Sequence, residues 1–486
     1  MMKTLENETC YRALTARDRR FDGLFFVGVS TTGIYCRPVC TARTPRQERC
    51  AFYRTAAEAE HAGFRACLLC RPELAPGSAP VDSVPRLVAA AVSRIEGGFL
   101  NESSLDELAA ELGVTSRHLR RAMETELGVS PVELAQSRRL ALAKQLLHDT
   151  ALPLAEVAFA SGFQSVRRFN ALFQARFGRP PSELRRASDE AGGSRSLVLR
   201  LDYRPPLDWE QLLLYLRGRA IPGVEHVGAS EYRRTVRLGG KTGWLVVRKD
   251  PKRPALLAEV SLSLAGVLMQ VATRLRALFD LDAQPEVISE CLGRDALLAR
   301  CVQARPGLRV LGAFEPFELT VRAILGQQVT VRAATTLSGR LVARFGELVD
   351  GPHAELSRLF PPPETLAAAS EDDVAALGLP GARARSLLGV ARAVAEGSVR
   401  LDRHAEVDAT MAALEALPGI GAWTAHYVAM RALRWPDAFP ASDLGIRKAL
   451  GGVTAKEAGA RAEAWRPWRS YAAIHLWTSL SEGAGG

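Results

Sequence analysis

Six of the eight cysteines fall between Cys10 and Cys70. Cys36 and Cys40 flank three residues, Cys67 and Cys70 flank two, and 26 residues separate the pairs. Two close thiol pairs at this separation suit a tetrahedral four-cysteine zinc site. A segment of about 80 residues builds only a small core, so a metal would supply stability the core lacks. That is the structural reading, and spacing alone favours it. A sharper reading follows from charge. Four thiolates on Zn²⁺ leave a net charge of about −2, so the sulfurs stay electron-rich and an exposed one can attack an electrophilic methyl group. Cys10 and Cys50 read as free thiols, and Cys291 and Cys301 as ordinary core or surface thiols.

A second candidate chemistry lies near the other end of the chain. In Leu417-Pro418-Gly419-Ile420-Gly421 two glycines permit a tight turn whose backbone N–H groups can approach a phosphate. The helix expected from Ala422 adds its N-terminal dipole. Asp443 follows about twenty residues later, among Trp423, Tyr427 and Trp477. Taken singly, Asp443 reads as a helix cap and the aromatics as core at helical spacing. Trp468 reads as core.

The elements that must position these residues divide the 486-residue chain. Apolar residues make up 47% and charged residues 24%, which excludes a disordered chain or a fibre. No apolar run is long enough to span a bilayer. The stretch Val260–Val271, bounded by Glu259 and Gln270, reads as a buried helix. The start, Met1 to Glu6, lacks a signal-peptide core, so a cytoplasmic location is expected, at the nucleoid for a chain that acts on DNA. The net charge of +10 suits a polyanion partner. Pro72–Pro80 and Ser188–Ser194 read as linkers. Ser104-Leu105-Asp106-Glu107 is a capping box opening a helix to about Leu112, followed by the turn Gly113–Thr115 and a second helix from Ser116 that bears Arg120 and Arg121. The pattern recurs about 50 residues on: Leu154–Ala160, the turn Ser161–Phe163, then a helix from Ser165 with Arg167, Arg168 and Asn170. The duplication favours a double helix-turn-helix over a plain helical hairpin. Strand-like runs Leu197–Leu201 and Trp244–Val247 follow, and from about Leu256 the chain reads as helix again.

Two family resemblances rest on these residues. Thr31–Cys40 with Ala62–Cys70 resembles the N-terminal domain of Ada-type methylation-response regulators, over about residues 1–75. The resemblance implies that Cys36 accepts a methyl group from a DNA methylphosphotriester, with Cys40, Cys67 and Cys70 as the other zinc ligands. Gly162-Phe163 with Phe173–Gly178 resembles the AraC-type DNA-binding domain, which makes Arg120, Arg121, Arg167, Arg168 and Asn170 candidate DNA contacts and implies a promoter sequence and RNA polymerase as partners.

The Gly-Ile-Gly turn is similar to the helix-hairpin-helix of base-excision glycosylases. Phe317–Val331, Trp465–Ala472, His475–Trp477 and Pro205–Trp209 resemble AlkA-type 3-methyladenine DNA glycosylases, from about Ser196 to Glu482. This implies Asp443 as the catalytic carboxylate, Trp423, Tyr427 and Trp477 as the base pocket, Gly419 and Gly421 as the backbone clamp, and Gln328, or Val329 beside it, as the wedge that fills the gap left by a flipped base. The substrates implied are cationic alkylated purines such as 3-methyladenine and 7-methylguanine. No lysine lies between Leu417 and Asp443, so the enzyme expected is monofunctional, without lyase chemistry. The Pro-Cys-His-Arg site of O6-methylguanine methyltransferases is absent from the sequence.

The expected architecture is multidomain and mainly α with small α+β parts: a zinc-bound Ada-like domain at 1–77, an AraC-type double helix-turn-helix at 83–187, a small β-sheet subdomain at 195–284, and a helix-hairpin-helix glycosylase α-bundle at 285–482. The function expected is alkylation response, joining base excision, methylphosphotriester sensing by suicidal methyl transfer to Cys36, and transcription activation on double-stranded DNA. Two alternatives stand beside it: a non-enzymatic methylation-sensing transcription factor, and a glycosylase whose zinc is purely structural.

Overall fold

Residues 6–76, 86–184, 196–401 and 405–483 are described by the computed structural model. They fall into two compact units. The first is Met1–Arg204 with Leu238–Lys241 and Asp250–Thr273; the second is Pro205–Arg237, Thr242–Lys249 and Arg274–Gly486. The first expected linker is described only to residue 76 and includes a 3₁₀ turn at Pro72–Leu74; the second, Ser188–Ser194, lies outside the described residues.

The strands are β1 (Phe26–Val29), β2 (Ile34–Cys36), β3 (Cys50–Tyr53), β4 (Arg65–Ala66), β5 (Ser196–Asp202), β6 (Glu225–Val227), β7 (Glu231–Leu238), β8 (Lys241–Lys249) and β9 (Ala255–Ser261). In the first unit, helix α1 (Asn7–Ala16) packs Cys10, Ala13 and Leu14 against Phe25 and Val27. A four-stranded sheet of order β3-β1-β2-β4 follows, antiparallel except for the β2–β4 pair. That parallel pair positions the cysteines. The Cys67 N–H donates to the Tyr35 carbonyl at 3.0 Å, which seats the second thiol pair beside the end of β2 that carries Cys36. Between them, helix α2 (Ala56–His61) is capped by Thr55.

Helices α3 (Arg86–Glu96), α4 (Leu105–Glu111), α5 (Ser116–Leu127), α6 (Pro131–Asp149), α7 (Leu154–Ala160) and α8 (Val166–Phe177) come next. The capping box at Ser104 is complete, with both Ser104–Glu107 bonds made. The repeat extends to the core. α5 buries Leu119, Met123 and Leu127, and α8 buries Phe169, Phe173 and Phe177 at matching positions. Each of these two helices is N-capped by a hydroxyl, Thr115 or Ser165, and stopped by a left-handed glycine, Gly128 or Gly178 at φ 70°. Both recognition-type helices thus bury one apolar stripe and leave Arg120, Arg121, Arg167, Arg168 and Asn170 exposed.

The expected helix over Val260–Val271 is not one element. Val260 and Ser261 end strand β9, Leu262–Val267 is 3₁₀, and α-helix begins only at Leu268. The alternation Val260-Ser261-Leu262-Ser263-Leu264 carries the strand's period of two only briefly before the run turns apolar from Leu264 to Met269, where strand and buried helix look alike. β9 pairs antiparallel with β5, Leu201 opposite Leu256. The end of β5 reaches the cysteine module: the buried guanidinium of Arg37 donates to Asp22 at 2.8 Å and to Asp202 at 3.0 Å. Lys144 of α6, 1% exposed, donates to the Cys67 carbonyl at 3.3 Å and to Glu73 at 2.9 Å. Buried charges persist only when paired in this way.

The second unit contains α9 (Trp209–Arg217), α10 (Pro316–Leu325), α11 (Val331–Phe345), α12 (Gly381–Ala395), α13 (Val407–Glu415), α14 (Ala422–Arg431), α15 (Leu444–Ala449) and α16 (Arg469–Gly483), with β6 and β7 antiparallel. Val321, Ile324, Leu341, Leu387 and Val428 meet in its main core. The Trp465–Ala472 segment is a structural clamp: the Trp465 indole donates to Asp295 at 3.1 Å, the Tyr471 hydroxyl donates to buried Asp280 at 2.6 Å, and Trp468 is buried. Among the described residues, no helix is long and apolar enough to cross a membrane.

Candidate active site and metal centre

In the second unit the turn between α13 and α14 is as tight as its glycines suggest. Gly419 lies at φ 81°, and a Cβ there would sit 2.1 Å from the Ser386 hydroxyl, so no side chain fits. Gly421 differs from expectation. Its φ is −100°, an ordinary value, and its place is the N-cap of α14. Gln327 braces the turn, donating to the Gly419 carbonyl and to Thr424 Oγ1, each at 3.1 Å. Gln328 is exposed and held at φ 54°, a left-handed conformation rare for a side chain of its size. Val329 beside it lines the neighbouring cavity.

That cavity measures about 580 Å³, and Trp423, Tyr427, Trp477 and Asp443 all line it. Asp443 is indeed a helix cap: its Oδ1 accepts from the Ile446 N–H at 2.9 Å at the start of α15. The same carboxylate accepts from both pocket indoles, Trp477 Nε1 on Oδ1 and Trp423 Nε1 on Oδ2, each at 2.8 Å. Cap and site readings therefore hold together. Three N–H donors thus fix both oxygens of the Asp443 carboxylate in place. Trp423 and Tyr427 stack with centroids 5.3 Å apart and planes 10° apart, and Trp477 lies 6.4 Å from Tyr427. A carboxylate fixed among electron-rich ring faces attracts a flat cation and opposes development of negative charge.

Sequence reasoning missed the opposite wall. Tyr215 and Arg219, from α9 and the residues just after it, also line the cavity, as do Arg431, Arg322, Arg234, Glu225, Glu315 and Glu318. Tyr215 lies more than two hundred positions before Tyr427, and its i, i+4 partner Arg219 reads as surface charge. Only the unusual tyrosine in an otherwise aliphatic helix, Leu212-Leu213-Leu214-Tyr215-Leu216, could have signalled it.

His475, the seventh residue of α16 and 5% exposed, is pushed down to about 4 by burial. An unfolded histidine titrates near about 6.5, so between these values only the unfolded chain takes up the proton. Stability present above about pH 6.5 is then lost as the pH falls toward 4. Roughly 2.5 pKa units correspond to about 3 kcal/mol. Urea unfolding of the wild type should show that loss between pH 7 and 4.5, and His475→Gln should flatten it; equal slopes would remove His475 as the cause.

In the first unit the Sγ atoms of Cys36, Cys40, Cys67 and Cys70 all lie within 4.8 Å of one another. A tetrahedron with Zn–S bonds of 2.3 Å has S···S edges of about 3.8 Å, so the four ligands are already gathered for the ion. The Cys36 hydrogen bond draws the Cys40 thiol down to about 7. Cys40 and Cys67 are buried; Cys36 and Cys70 are half-buried. Backbone N–H groups damp three of the sulfurs: Ala42 donates to Cys40, Cys70 to Cys67, and Arg37 to Cys70 at 3.4 Å. Among the described residues no such donor serves Cys36. All eight cysteines are free of disulfides.

Comparison with known proteins matches four stretches of the chain. Residues 9–73 match the metal-binding domain of Ada, 108–187 a helix-turn-helix domain, 198–315 the AlkA N-terminal domain, and 321–469 the HhH-GPD superfamily of base excision DNA repair proteins. A Mycobacterium tuberculosis protein described as "Probable bifunctional transcriptional activator/DNA repair enzyme AlkA" is 41% identical over 482 residues, covering 97% of this chain and 96% of that protein. The Escherichia coli DNA-3-methyladenine glycosylase 2 is 37% identical over 277 residues, 57% of this chain and 95% of that one. A 3-methyladenine DNA glycosylase from Archaeoglobus fulgidus shares the fold at TM-score 0.52 and 21% identity, covering 58% of this chain and 97% of that one. The four-cysteine cluster is a zinc site, and DNA is the partner of both the helix-turn-helix and the glycosylase parts. This chain belongs to the family of bifunctional transcriptional activator/DNA repair enzymes that join an Ada-type zinc module and a DNA-reading helix-turn-helix to an AlkA-type DNA glycosylase.

Proposed function

We propose that the glycosylase excises cationic alkylated purines, 3-methyladenine and 7-methylguanine, as a monofunctional hydrolase, and that the zinc module senses methylphosphotriesters by methyl transfer to Cys36. The observation that carries the excision reading is the Asp443 carboxylate held by both pocket indoles on the wall of one cavity. The flipped base costs a few kcal/mol to unstack. Its positive charge is drawn to the Trp423, Tyr427 and Trp477 faces, roughly 0.5–2 kcal/mol per contact. As the glycosidic bond breaks, the electron pair leaves with the base and the sugar becomes an oxocarbenium-like cation. Asp443 stabilises that cation and water completes the displacement at C1′. Gly419 and Gly421 hold the DNA backbone, and Gln328 is the wedge, which fits its exposed, left-handed backbone. No lysine stands beside Asp443 to form a Schiff base.

On the sensing side, zinc keeps the four sulfurs as thiolates. Cys36, half-buried and without an N–H donor, is then the strongest nucleophile of the set. Its sulfur forms the S–CH₃ bond, the O–CH₃ bond breaks, and the phosphodiester leaves with the electron pair. One negative charge is lost beside the DNA, so affinity rises. Arg120, Arg121, Arg167, Arg168 and Asn170 contact promoter DNA, and RNA polymerase is the downstream partner in the cytoplasm, at the nucleoid. In this reading the chain comprises domains at 1–77, 83–187, 195–284 and 285–482. Two assays test the proposal. Alkylated duplex incubated with the protein should yield free methylated purine and an intact abasic site. Peptide mass spectrometry after incubation with methylphosphotriester DNA should find one added methylene on Cys36. An unmodified Cys36 with zinc bound would leave the zinc a structural role alone.

A further inference from the structure

The arginines lining the base cavity fall into two classes. Arg234 and Arg322 are answered by carboxylates: Arg234 pairs with Glu318 at 2.8 Å, and Arg322 with Glu225 at 2.9 Å and Glu318 at 3.2 Å. Arg219 and Arg431 are not. Among the described residues neither forms an ion pair with a carboxylate. Arg431 is 3% exposed, and its hydrogen bonds go to the Leu311 and Gly312 carbonyls and to the hydroxyls of Tyr215 and Tyr427. The Arg219 guanidinium lies 3.7 Å from the Tyr215 ring centroid and donates to the Tyr215 carbonyl. A buried guanidinium without a counter-charge is costly. In a cavity meant for a cation it would also repel the ligand.

Both unanswered cations converge on one group. Tyr215 Oη receives Arg431 Nη1 and lies 3.3 Å from Tyr427 Oη, which can donate to it. An oxygen met by the Arg431 guanidinium and the Tyr427 hydroxyl, on a ring covered by the Arg219 guanidinium, is placed as an acceptor, not as a donor. We propose that Tyr215 serves as a phenolate, the counter-ion of Arg431 and Arg219, and is the specificity-determining residue that keeps this wall of the pocket compatible with a cationic base. Burial alone would push the phenol up, but Arg219 and Arg431 outweigh it and bring it down to about 7. The charged and titratable groups around it agree. Arg219 lies just beyond its own helix, Tyr427 and Arg431 come from α14, and Arg322 with Glu318 from α10 form their own closed pairs. Tyr427, raised by burial, remains a phenol able to donate.

The inference rests on the proposed excision of cationic purines, and the experiment separates the two. Ultraviolet difference spectra and 3-methyladenine release at subsaturating enzyme are compared for wild type and Tyr215→Phe from pH 6 to 8.5. The wild type should gain one tyrosinate band near neutral pH that Tyr215→Phe lacks. Its release rate should rise by about tenfold across the range, one pKa unit's worth of interaction. The variant should follow the remaining groups only, so that the ratio of wild-type to variant release grows by about tenfold from the acid to the alkaline end. Binding to abasic-site DNA, which leaves the pocket without a base, should be equal in both. Arg219→Met provides a second check, moving the tyrosinate band to higher pH. A tyrosinate band persisting in Tyr215→Phe, or parallel pH profiles, would overturn the inference. A wild type that titrates Tyr215 but releases no methylated base would instead sink the excision reading.

Discussion

Asp443→Asn should lower release of methylated purine by about 10³-fold, a loss of about 4 kcal/mol of transition-state stabilisation, while duplex affinity stays within a few-fold. The substitution is chosen for what it preserves. Asparagine caps a helix about as well as aspartate, so the bond from the Ile446 N–H survives and α15 keeps its start. What changes is charge and donor–acceptor sense. An amide offers one acceptor oxygen where the carboxylate offered two; with that oxygen kept at the cap and Trp477, its NH₂ faces the indole N–H of Trp423. That mismatch costs about 1–3 kcal/mol of local stability, too little to unfold the unit and readable as a modest fall in its urea midpoint. Single-turnover release and a binding titration on the same duplex are the measurements. Release within tenfold of wild type would remove Asp443 from the chemistry and return it to a capping role.

Cys40→Ser is expected to act on the other unit and through folding. Cys40 and Cys67 are the buried members of the set, and the local core beside them is small: Cys10, Ala13, Leu14, Phe25 and Val27. Zinc binding in comparable four-ligand sites amounts to about 10–16 kcal/mol at neutral pH, at least as much as the burial of Leu14, Phe25 and Val27 at ~1.5–3 kcal/mol each. Serine is a poor zinc ligand at this pH. The variant should therefore retain far less than one zinc per chain, and residues 6–76 should become the first region cut in limited proteolysis. Methylated-base release, which depends on residues of the second unit, should persist. Full zinc retention with an unchanged cleavage pattern would show that three thiolates suffice.

Much of this was legible in the residues. The cysteine spacing, the duplicated helix-turn-helix and the Gly-Ile-Gly turn with Asp443 are local patterns whose physics lies within a few residues of chain, and each stands where the sequence places it. The failures share a different cause. Val260–Val271 alternates with Ser261 and Ser263 for only five residues before an apolar stretch, too short a signal to mark a strand end until β5 supplies a partner for β9. Tyr215 acquires its environment only when α9 meets α14. Gly421 was credited with a special backbone it does not use, because two glycines in a turn look alike until one is seen against Ser386. The pairing of Arg37 with Asp202 joins residues 165 positions apart and has no signature at all.

That last pair bears on how such a chain can be divided. A boundary placed by composition, between Leu184 and Ser196, would seem to separate a regulator from a repair enzyme. Yet β5 lies on the far side of that boundary, and its Asp202 closes the charge on the arginine next to Cys36. A regulator expressed without β5 would bury Arg37 against Asp22 alone. β5 also meets α6, where the Gln145 side-chain amide donates to the Arg200 carbonyl at 3.2 Å. Arg200 itself pairs with Asp202 at 3.0 Å, so β5 arrives as a neutral pair, and a regulator cut short of it would lose the second acceptor for Arg37 and a packed strand but no net charge.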